Sequence, residues 1–330
     1  MVEFCSVFKE EFSNFLGIRK AILSRSAFNH DQCYLASFDT YISDCNLRQK
    51  VIFESVIIGW SNTLTGKTSS KANIIIVIRI FTKYLHSLGI SAFMPVVPIV
   101  ADDYIPYIFS DEELKKIFDA ADNISMTKSQ PNRCIQAEFP MALRLLYGCG
   151  LRIGETLALQ MKDVDLDGGV LTMLHTKNFK QRIVPMSPSL MEILQQYCLA
   201  MGLIGKSDAY LFPSADYTQP MSIQSARNKF DLILKSTRIV LKWRNWHERG
   251  PCMHCFRHLF VFRSFSKAEY EGRSISDSMP FLLIYLGHDS LIETDKYLKF
   301  SSEIYPQALN LFEEYAREVF PEVDYEEEIH

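Results

Sequence analysis

Two arginines, a lysine, two histidines and a tyrosine follow one another in the second half of the chain, and they are Arg152, Lys177, His254, Arg257, His288 and Tyr297. An arginine guanidinium binds phosphate oxygens through two parallel hydrogen bonds and keeps its charge at every physiological pH. A tyrosine hydroxyl becomes a nucleophile when nearby cations stabilise its phenolate. Together these groups could hold a phosphodiester, neutralise the charge that develops on it and attack it with a phenol oxygen.

Each of these side chains has an expected task in such a reaction. Arg152 and Arg257 are the pair that would clamp the non-bridging phosphate oxygens. His254 and His288 can each donate a hydrogen bond to such an oxygen, and His254 could also accept the phenol proton. Glu155, three residues after Arg152 on the same helical face, is expected to orient the clamp.

The motifs around these residues also follow a recognisable order. They are Leu-Arg-Ile-Gly-Glu at 151–155, Lys177 with Arg-Ile-Val-Pro at 182–185, His-Cys-Phe-Arg-His at 254–258, Leu-Gly-His at 286–288, and Tyr297 nine residues later. In order and spacing, residues 105–300 resemble the tyrosine recombinases, also called the phage integrase family. The departures are minor, since Phe256 replaces a common leucine and the isoelectric point of about 6.1 is low. His258, which directly follows Arg257, is expected to be a packing or orienting residue.

The resemblance implies a site-specific recombinase, of the integrase or transposase type, that cuts and rejoins DNA through a 3′-phosphotyrosine intermediate. Tyr297 would be the nucleophile, with Tyr285 and Tyr305 as the nearest alternatives. Lys177 would protonate the departing 5′ oxygen, because nearby cations lower the pKa of a lysine, and Lys180 is its rival. Since the protein–DNA ester conserves the bond energy, no metal or nucleotide cofactor is expected.

The fold that the resemblance implies is mainly α with a small β-sheet. A helical core-binding bundle of the SAM-like type (residues 1–92) would be joined by a linker (93–107) to a mixed α/β catalytic domain (108–302), the two forming a C-shaped clamp on DNA. An acidic C-terminal helix or tail (303–330) would contact a neighbouring protomer. Independently, 330 residues favour two domains, and the three prolines within 91–107 indicate a linker.

Apolar periodicity predicts the elements that position the six side chains. The predicted helices cover residues 3–15, 31–43, 50–63, 68–86, 138–147 and 152–159, and the predicted strands cover 170–175 and 182–186. Ser110 and Glu113 form a capping-box pattern at a further helix start. The two strands form a hairpin with Lys177 near its tip. After Pro188 the chain is predicted to be helical, apart from residues 205–220.

The charge distribution bears on DNA binding, because Lys and Arg supply most of the affinity for phosphate. The net charge is −4, yet residues 301–330 hold nine acidic residues against the single base Arg317, so the other 300 residues sum to about +4. The acidic end is therefore predicted not to lie on DNA. The predicted DNA contacts are Lys71, Lys83, Lys180 and Arg182.

Eight cysteines without a signal-peptide pattern indicate reduced thiols. Cys252 and Cys255 form a Cys-x-x-Cys pair that, with His258 and His247, allows an alternative, a zinc-dependent non-enzymatic DNA-binding protein. That alternative lacks the second half of the usual ligand pairing and leaves the lysine and the tyrosine unexplained. A further alternative is a type IB topoisomerase-like nicking-closing enzyme, which would use the same groups as a monomer.

The expected partner is double-stranded DNA with inverted core-type sites. The chain is expected to form a homotetramer on DNA and to be a monomer or weak oligomer away from it. Apolar runs such as residues 74–80 are too short to span a bilayer, so no membrane contact is expected. The expected location is the cytoplasm, at the bacterial nucleoid when DNA is bound.

Overall fold

A computed structural model describes residues 2–101, 106–124, 135–174, 181–239 and 250–287. The chain divides into two compact units, Met1–Asp102 and Asp103–His330, and the division lies inside the predicted linker. Each unit has an apolar core of its own. No helix of the described ranges is long and apolar enough to cross a membrane.

The described residues are mainly helical with one small sheet, as predicted. The first unit contains α1 (Lys9–Ile22), α2 (Arg25–Asp44), α3 (Glu54–Thr63) and α4 (Thr68–Ser87). The second unit begins with α5 (Asp111–Asp122), α6 (Ile135–Cys149), α7 (Ile153–Leu157), a 3-10 turn (Met161–Asp163), β1 (Val164–Asp165), β2 (Val170–Met173) and β3 (Arg182–Pro185). It continues with α8 (Pro188–Ala200), α9 (Ile223–Thr237), α10 (His254–Tyr270) and α11 (Ile275–Leu286).

The starts of α1 and α2 differ from the prediction because side chains satisfy the backbone there. The backbone N–H groups of Cys5 and Ser6 donate to the carboxylate of Asp39, at 2.7 and 3.1 Å, so the chain before Lys9 is held against α2 instead of being helical. Helix α2 begins earlier than expected, since the Ser24 hydroxyl accepts a hydrogen bond from the third residue beyond it. A long-range contact with Asp39 thus accounts for the later start of α1, and local capping by Ser24 accounts for the earlier start of α2.

Aromatic side chains join the helices of the first unit. The rings of Phe12 (α1) and Phe81 (α4) are stacked with centroids 4.2 Å apart, and the rings of Phe38 (α2) and Trp60 (α3) lie 4.8 Å apart. All four side chains are buried. Since large aromatic residues dominate the energy of a core, these contacts explain how four amphipathic helices form one bundle.

The core of the second unit fixes the helix that carries two of the predicted site residues. Phe256 of α10 is fully buried, and its ring centroid lies 5.2 Å from that of Phe109 and 5.8 Å from that of Phe230. Next to Phe109, Ser110 and Glu113 form the predicted capping box at the start of α5. His254 and Arg257 therefore belong to a helix whose first turn is anchored in the core.

The sheet is a three-stranded antiparallel meander in the order β1-β2-β3. Strand β1 was not predicted, because a two-residue strand has no measurable alternation. The hairpin of β2 and β3 is confirmed, and its described register runs from Val170 opposite Pro185 to Met173 opposite Arg182. On β3, Arg182 and Val184 point inwards, whereas the residues between and after them are exposed.

Candidate active site

A sharp turn delivers the first predicted clamp arginine. Gly150 has a φ of +59°, and a Cβ added there would lie 2.6 Å from the Phe260 ring, so both the backbone conformation and the available space require glycine. Arg152 then occupies the N-cap position of α7, not the helix itself as predicted. Its side chain stays 28% exposed. The turn therefore presents the guanidinium at the end of a helix, where it can be reached from outside.

Glu155 holds Arg152 in place, as the sequence predicted. The Arg152 backbone N–H donates to Glu155 Oε2 at 3.2 Å, and Arg152 Nη1 donates to Oε1 at 3.0 Å. Burial by itself would raise the pKa of Glu155. The hydrogen bonds and charges of Arg182, and then of Arg152, outweigh burial and hold that pKa below its usual range. Glu155 is therefore a buried carboxylate that stays charged between two arginines.

Arg182 is not placed as predicted. We expected it to contact DNA, but its side chain is only 6% exposed and forms a two-pronged ion pair with Glu155, with Nη2–Oε2 at 2.6 Å and Nη1–Oε1 at 3.2 Å. Removing one partner of a buried ion pair of this geometry lowers the free energy of unfolding by about 3–5 kcal/mol. In the described structure, Arg182 supports Glu155 from inside and does not extend towards a ligand.

Arg257 joins two distant segments of the second unit. Its Nη1 donates to the carbonyl oxygen of Gly150 and its Nη2 to that of Leu286, each at 2.8 Å. The side chain is fully buried within the unit. The turn that leads to Arg152 and the segment that leads to His288 are thus bonded to the same guanidinium, so the predicted clamp segments do converge.

Gly287 completes this convergence, because it packs against Arg182. Its φ is +66°, and a Cβ built on it would lie 3.2 Å from Arg182 Nη1 and 3.3 Å from Cδ. The neighbouring Tyr285 donates its hydroxyl to the carbonyl oxygen of Cys149, at 3.2 Å. The Gly150 turn, strand β3, α10 and the end of α11 therefore meet around two arginines, Arg182 and Arg257.

The two histidines of α10 differ in exposure. His254, the first residue of the helix, is exposed, whereas His258 one turn later is buried. Their ring centroids lie 4.8 Å apart and the rings are nearly perpendicular, at 86°. His258 is thus packed inside the unit beside His254, and its role as an orienting residue stays a prediction. This arrangement leaves His254 as the histidine of this helix that can meet a ligand.

Four predicted site residues, Lys177, Lys180, His288 and Tyr297, lie outside the described residues, and their assignments stay predictions. Two of them are nevertheless close in the sequence to described elements of the site. Lys177 belongs to the connection between Met173 and Arg182, which are paired at the end of the hairpin, and His288 directly follows Gly287. Both are thus attached to the segments that meet at the two buried arginines.

Tyr285 is described, and its surroundings oppose the role of nucleophile. Burial, followed by the charge of Cys149, raises its pKa well above the ordinary value. Its ring stacks on Phe260 with centroids 5.3 Å apart, and its hydroxyl donates to a backbone carbonyl. A nucleophile needs a stabilised phenolate, which this environment disfavours. Tyr305, the other alternative, lies outside the described residues.

Lys71 and Lys83, the predicted DNA contacts of the first unit, both lie on α4. Lys83 is exposed and Lys71 is half-buried. They are twelve positions apart in the helix, which places them about 120° apart around the helix axis. They therefore do not share one face of the helix, and their contact with DNA remains a prediction.

The Cys252 and Cys255 sulfurs lie close together, at 3.6 Å. Within the described ranges, no group of three or more His, Cys, Asp or Glu side chains is arranged to hold a metal ion, so His258 does not join the two cysteines. His247, the further ligand considered, lies outside those ranges. The Cys-x-x-Cys pair thus stands by itself at the start of α10.

The requirement for Gly287 gives a testable expectation about stability. Gly287→Ala should lower the free energy of unfolding, by about 1–2 kcal/mol for the left-handed backbone and by about 1–3 kcal/mol more for the crowding against Arg182. Gly202→Ala is the matched control, since Gly202 has a φ of +61° and nothing within 4 Å of its added Cβ. Urea denaturation of both variants measures the difference. Equal losses would show that Arg182 does not crowd this position.

The second unit thus combines a mainly helical fold and a small antiparallel sheet with a network in which Glu155 and Arg182 are buried and Arg152 is partly exposed. Residues 108–303 match the Phage integrase family. The match covers more than half of the chain, which therefore belongs to this family, the tyrosine recombinases, whose members are DNA strand-exchanging enzymes. The predicted resemblance is confirmed.

Individual relatives agree with this assignment. The chain is 29% identical over 249 residues to tyrosine recombinase XerC of Bacillus pumilus (strain SAFR-032), covering 73% of this chain and 72% of that relative. It is 28% identical over 211 residues to tyrosine recombinase XerC of Chlorobaculum tepidum (strain ATCC 49652 / DSM 12025 / NBRC 103806 / TLS), covering 58% of this chain and 56% of that relative. Its fold is similar to that of XerH site-specific recombinase bound to palindromic difH substrate in a post-cleavage complex, with a TM-score of 0.65, 20% identity, and coverage of 89% and 82%.

Proposed function

We propose that the chain is a site-specific tyrosine recombinase that cuts and rejoins DNA through a 3′-phosphotyrosine intermediate, with Tyr297 as the nucleophile. The observation that carries this proposal is the junction at Arg257, whose guanidinium is bonded both to the turn before Arg152 and to the segment before His288. Arg257 thereby joins the turn before Arg152 to the end of α11, which precedes His288 in the sequence. The family assignment does not favour a zinc-dependent, non-enzymatic module.

Arg152 would contact the scissile phosphate with its partly exposed guanidinium. Arg257, which is buried with both terminal nitrogens bonded to backbone carbonyl oxygens, would add fixed positive charge to the site. Catalysis of phosphoryl transfer consists mainly of positioning and electrostatic stabilisation, so a rigid clamp is the main requirement. Arg152 uses one terminal nitrogen for Glu155 and remains partly exposed, which leaves further N–H donors for non-bridging oxygens. Arg182 acts behind it as a positioning residue, because it holds the Glu155 carboxylate that Arg152 contacts.

The remaining groups would move protons. In the cleavage step, the Tyr297 oxygen forms a bond to phosphorus and the bond to the 5′ oxygen breaks. His254 would accept the phenol proton, Lys177 would donate a proton to the departing 5′ oxygen, and His288 would donate a hydrogen bond to a non-bridging oxygen. Rejoining is the reverse, with a 5′ hydroxyl attacking the phosphotyrosine, so the reaction consumes neither water nor a nucleotide.

The proposed partner is double-stranded DNA with inverted core-type sites, on which four protomers assemble. Lys71, Lys83 and Lys180 are proposed as backbone contacts. The acidic residues 303–330 are proposed to contact a neighbouring protomer instead of DNA, because nine carboxylates would be repelled by phosphate.

The test of the proposal is a covalent adduct formed without a metal. A nicked duplex that loses a short strand on cleavage should trap the enzyme on the DNA, and the adduct should form at the same rate with and without EDTA. Denaturing gel electrophoresis of the mixture measures it, and digestion of the DNA should leave a 3′-linked nucleotide on the protein. Strand cleavage that depends on a divalent metal, or that leaves no linked nucleotide, would contradict the proposed mechanism.

A further inference from the structure

Two cysteine sulfurs are in non-bonded contact beside the predicted site, at the start of α10. Cys252 Sγ and Cys255 Sγ are 3.6 Å apart, and the Cys255 backbone N–H donates to the Cys252 carbonyl oxygen at 2.9 Å. A disulfide has an S–S distance of about 2.05 Å, so the sulfurs would need to approach by roughly 1.6 Å. That hydrogen bond closes a four-residue turn, which already brings the two cysteines together.

The two sulfurs have different environments, so the two cysteines would have different roles in forming a disulfide. Cys252 is half-buried, whereas Cys255 is buried in the core of the second unit. The pKa of the Cys255 thiol is raised, first by its hydrogen bond with Cys252 and then by burial. Cys252, the more exposed of the two sulfurs, is therefore the one that a small disulfide can reach first.

We propose that Cys252 and Cys255 are a redox-active dithiol that a low-molecular-weight disulfide converts into an intramolecular disulfide. The Cys252 thiolate attacks one sulfur of the small disulfide, which releases one thiolate and leaves a mixed disulfide on Cys252. Cys255 then loses its proton and attacks the Cys252 sulfur, which releases the second thiolate. The two cysteines are oxidised, the small disulfide is reduced to two thiols, and the two cysteine protons end on those thiols.

Oxidation of this dithiol should affect the rate of DNA cleavage because of where the two cysteines lie. This expected effect rests on the proposed function. His254, the proposed acceptor of the phenol proton, lies between the two cysteines in the chain, and Arg257 follows two residues after Cys255. Because Cys255 is fixed in the core, most of the approach must come from residues 252–254. A displacement of a reacting group by about 1 Å can lower a rate on the order of 100-fold. Closing the disulfide should therefore slow cleavage by about tenfold or more, reversibly.

The experiment treats the full chain with oxidised glutathione and then measures the disulfide and the cleavage rate separately. Trypsin is expected to release residues 250–257, Gly-Pro-Cys-Met-His-Cys-Phe-Arg, as a single peptide that contains both cysteines. Mass spectrometry should show this peptide lighter by two hydrogen atoms after oxidation and restored by dithiothreitol. Trapping on the nicked duplex should slow by about tenfold in the oxidised protein and recover after reduction.

Two variants separate this pair from the other thiols. Cys252→Ser removes the attacking sulfur, so its cleavage rate should not respond to oxidised glutathione. A combined Cys5→Ser, Cys33→Ser, Cys45→Ser variant removes three exposed cysteines of the first unit and should respond like the unaltered chain. Absence of the lighter peptide would overturn the dithiol assignment, even if the chain proved unable to cleave DNA. A disulfide that forms without changing the cleavage rate, or an equal slowing in Cys252→Ser, would overturn its effect on the site.

Discussion

Tyr297→Phe should bind a nicked core-site duplex with the affinity of the unaltered chain and yield no detectable covalent adduct. The substitution removes only the attacking oxygen, whereas DNA affinity comes mainly from contacts of Lys and Arg with phosphate. Loss of a nucleophile cannot be compensated by the arginine clamp, because no other group in the proposed site forms the ester. The measurement is a denaturing gel of the trapped complex, with gel-shift affinity determined in parallel.

Tyr285→Phe is the matched control for this experiment. Tyr285 is the alternative nucleophile whose position the structure describes, and its hydroxyl donates a hydrogen bond to the Cys149 carbonyl oxygen. Its substitution should cost about 0.5–1.5 kcal/mol of stability through the lost hydrogen bond and leave the adduct in place. An adduct that persists in Tyr297→Phe, or disappears only in Tyr285→Phe, would show that Tyr297 is not the nucleophile.

Features with a local cause could be predicted from the sequence. The capping box at Ser110 depends on two residues three positions apart, and it is present. The β2–β3 hairpin follows from alternation over a few residues, and the pairing of Glu155 with Arg152 follows from their spacing. In each case, the interacting groups are near neighbours in the chain, so their geometry is largely set by the backbone between them.

Long-range contacts could not be predicted in the same way. The bonds from Arg257 to two backbone carbonyls join segments 107 and 29 residues away, and no periodicity records which carbonyl a buried arginine will meet. The positive charge of Arg182 predicts a DNA contact, but charge alone does not say which way the side chain points. The alternation of β3 held the missing signal, since Arg182 shares the inward face with Val184. An inward arginine requires buried hydrogen-bond acceptors, and for Arg182 the Glu155 carboxylate supplies them.

The ion pair between Arg182 and Glu155 allows Arg152 to be removed without leaving Glu155 unpaired. If Arg152 were the sole partner of Glu155, removing it would leave an uncompensated buried carboxylate and destabilise the fold. Arg182 remains paired with both oxygens of Glu155, at 2.6 and 3.2 Å. Arg152→Ala should therefore fold normally, and a loss of its activity can be attributed to the site.

Lys177→Ala and Arg152→Ala should respond in opposite ways to a substrate whose 5′-bridging oxygen is replaced by sulfur. A thiolate leaves without needing a proton, so Lys177→Ala, slowed by about 10²–10⁴-fold on ordinary DNA if it has lost the general acid, should regain most of its rate. Arg152→Ala should be slowed by about 10²–10³-fold on both substrates, because its charge stabilisation is still missing. Single-turnover cleavage of the two substrates by both variants gives the comparison.

Lys180→Ala is the control that decides between the two lysines of the hairpin connection. Because this variant keeps the proposed acid, its cleavage rate on ordinary DNA should fall only slightly, through a weaker phosphate contact. Replacing the 5′-bridging oxygen by sulfur should not raise that rate further. A rescue confined to Lys180→Ala would transfer the acid role to that residue. Equal rescue of Lys177→Ala and Arg152→Ala would contradict the division of work between proton donor and clamp, because a group that only stabilises charge has no proton to replace.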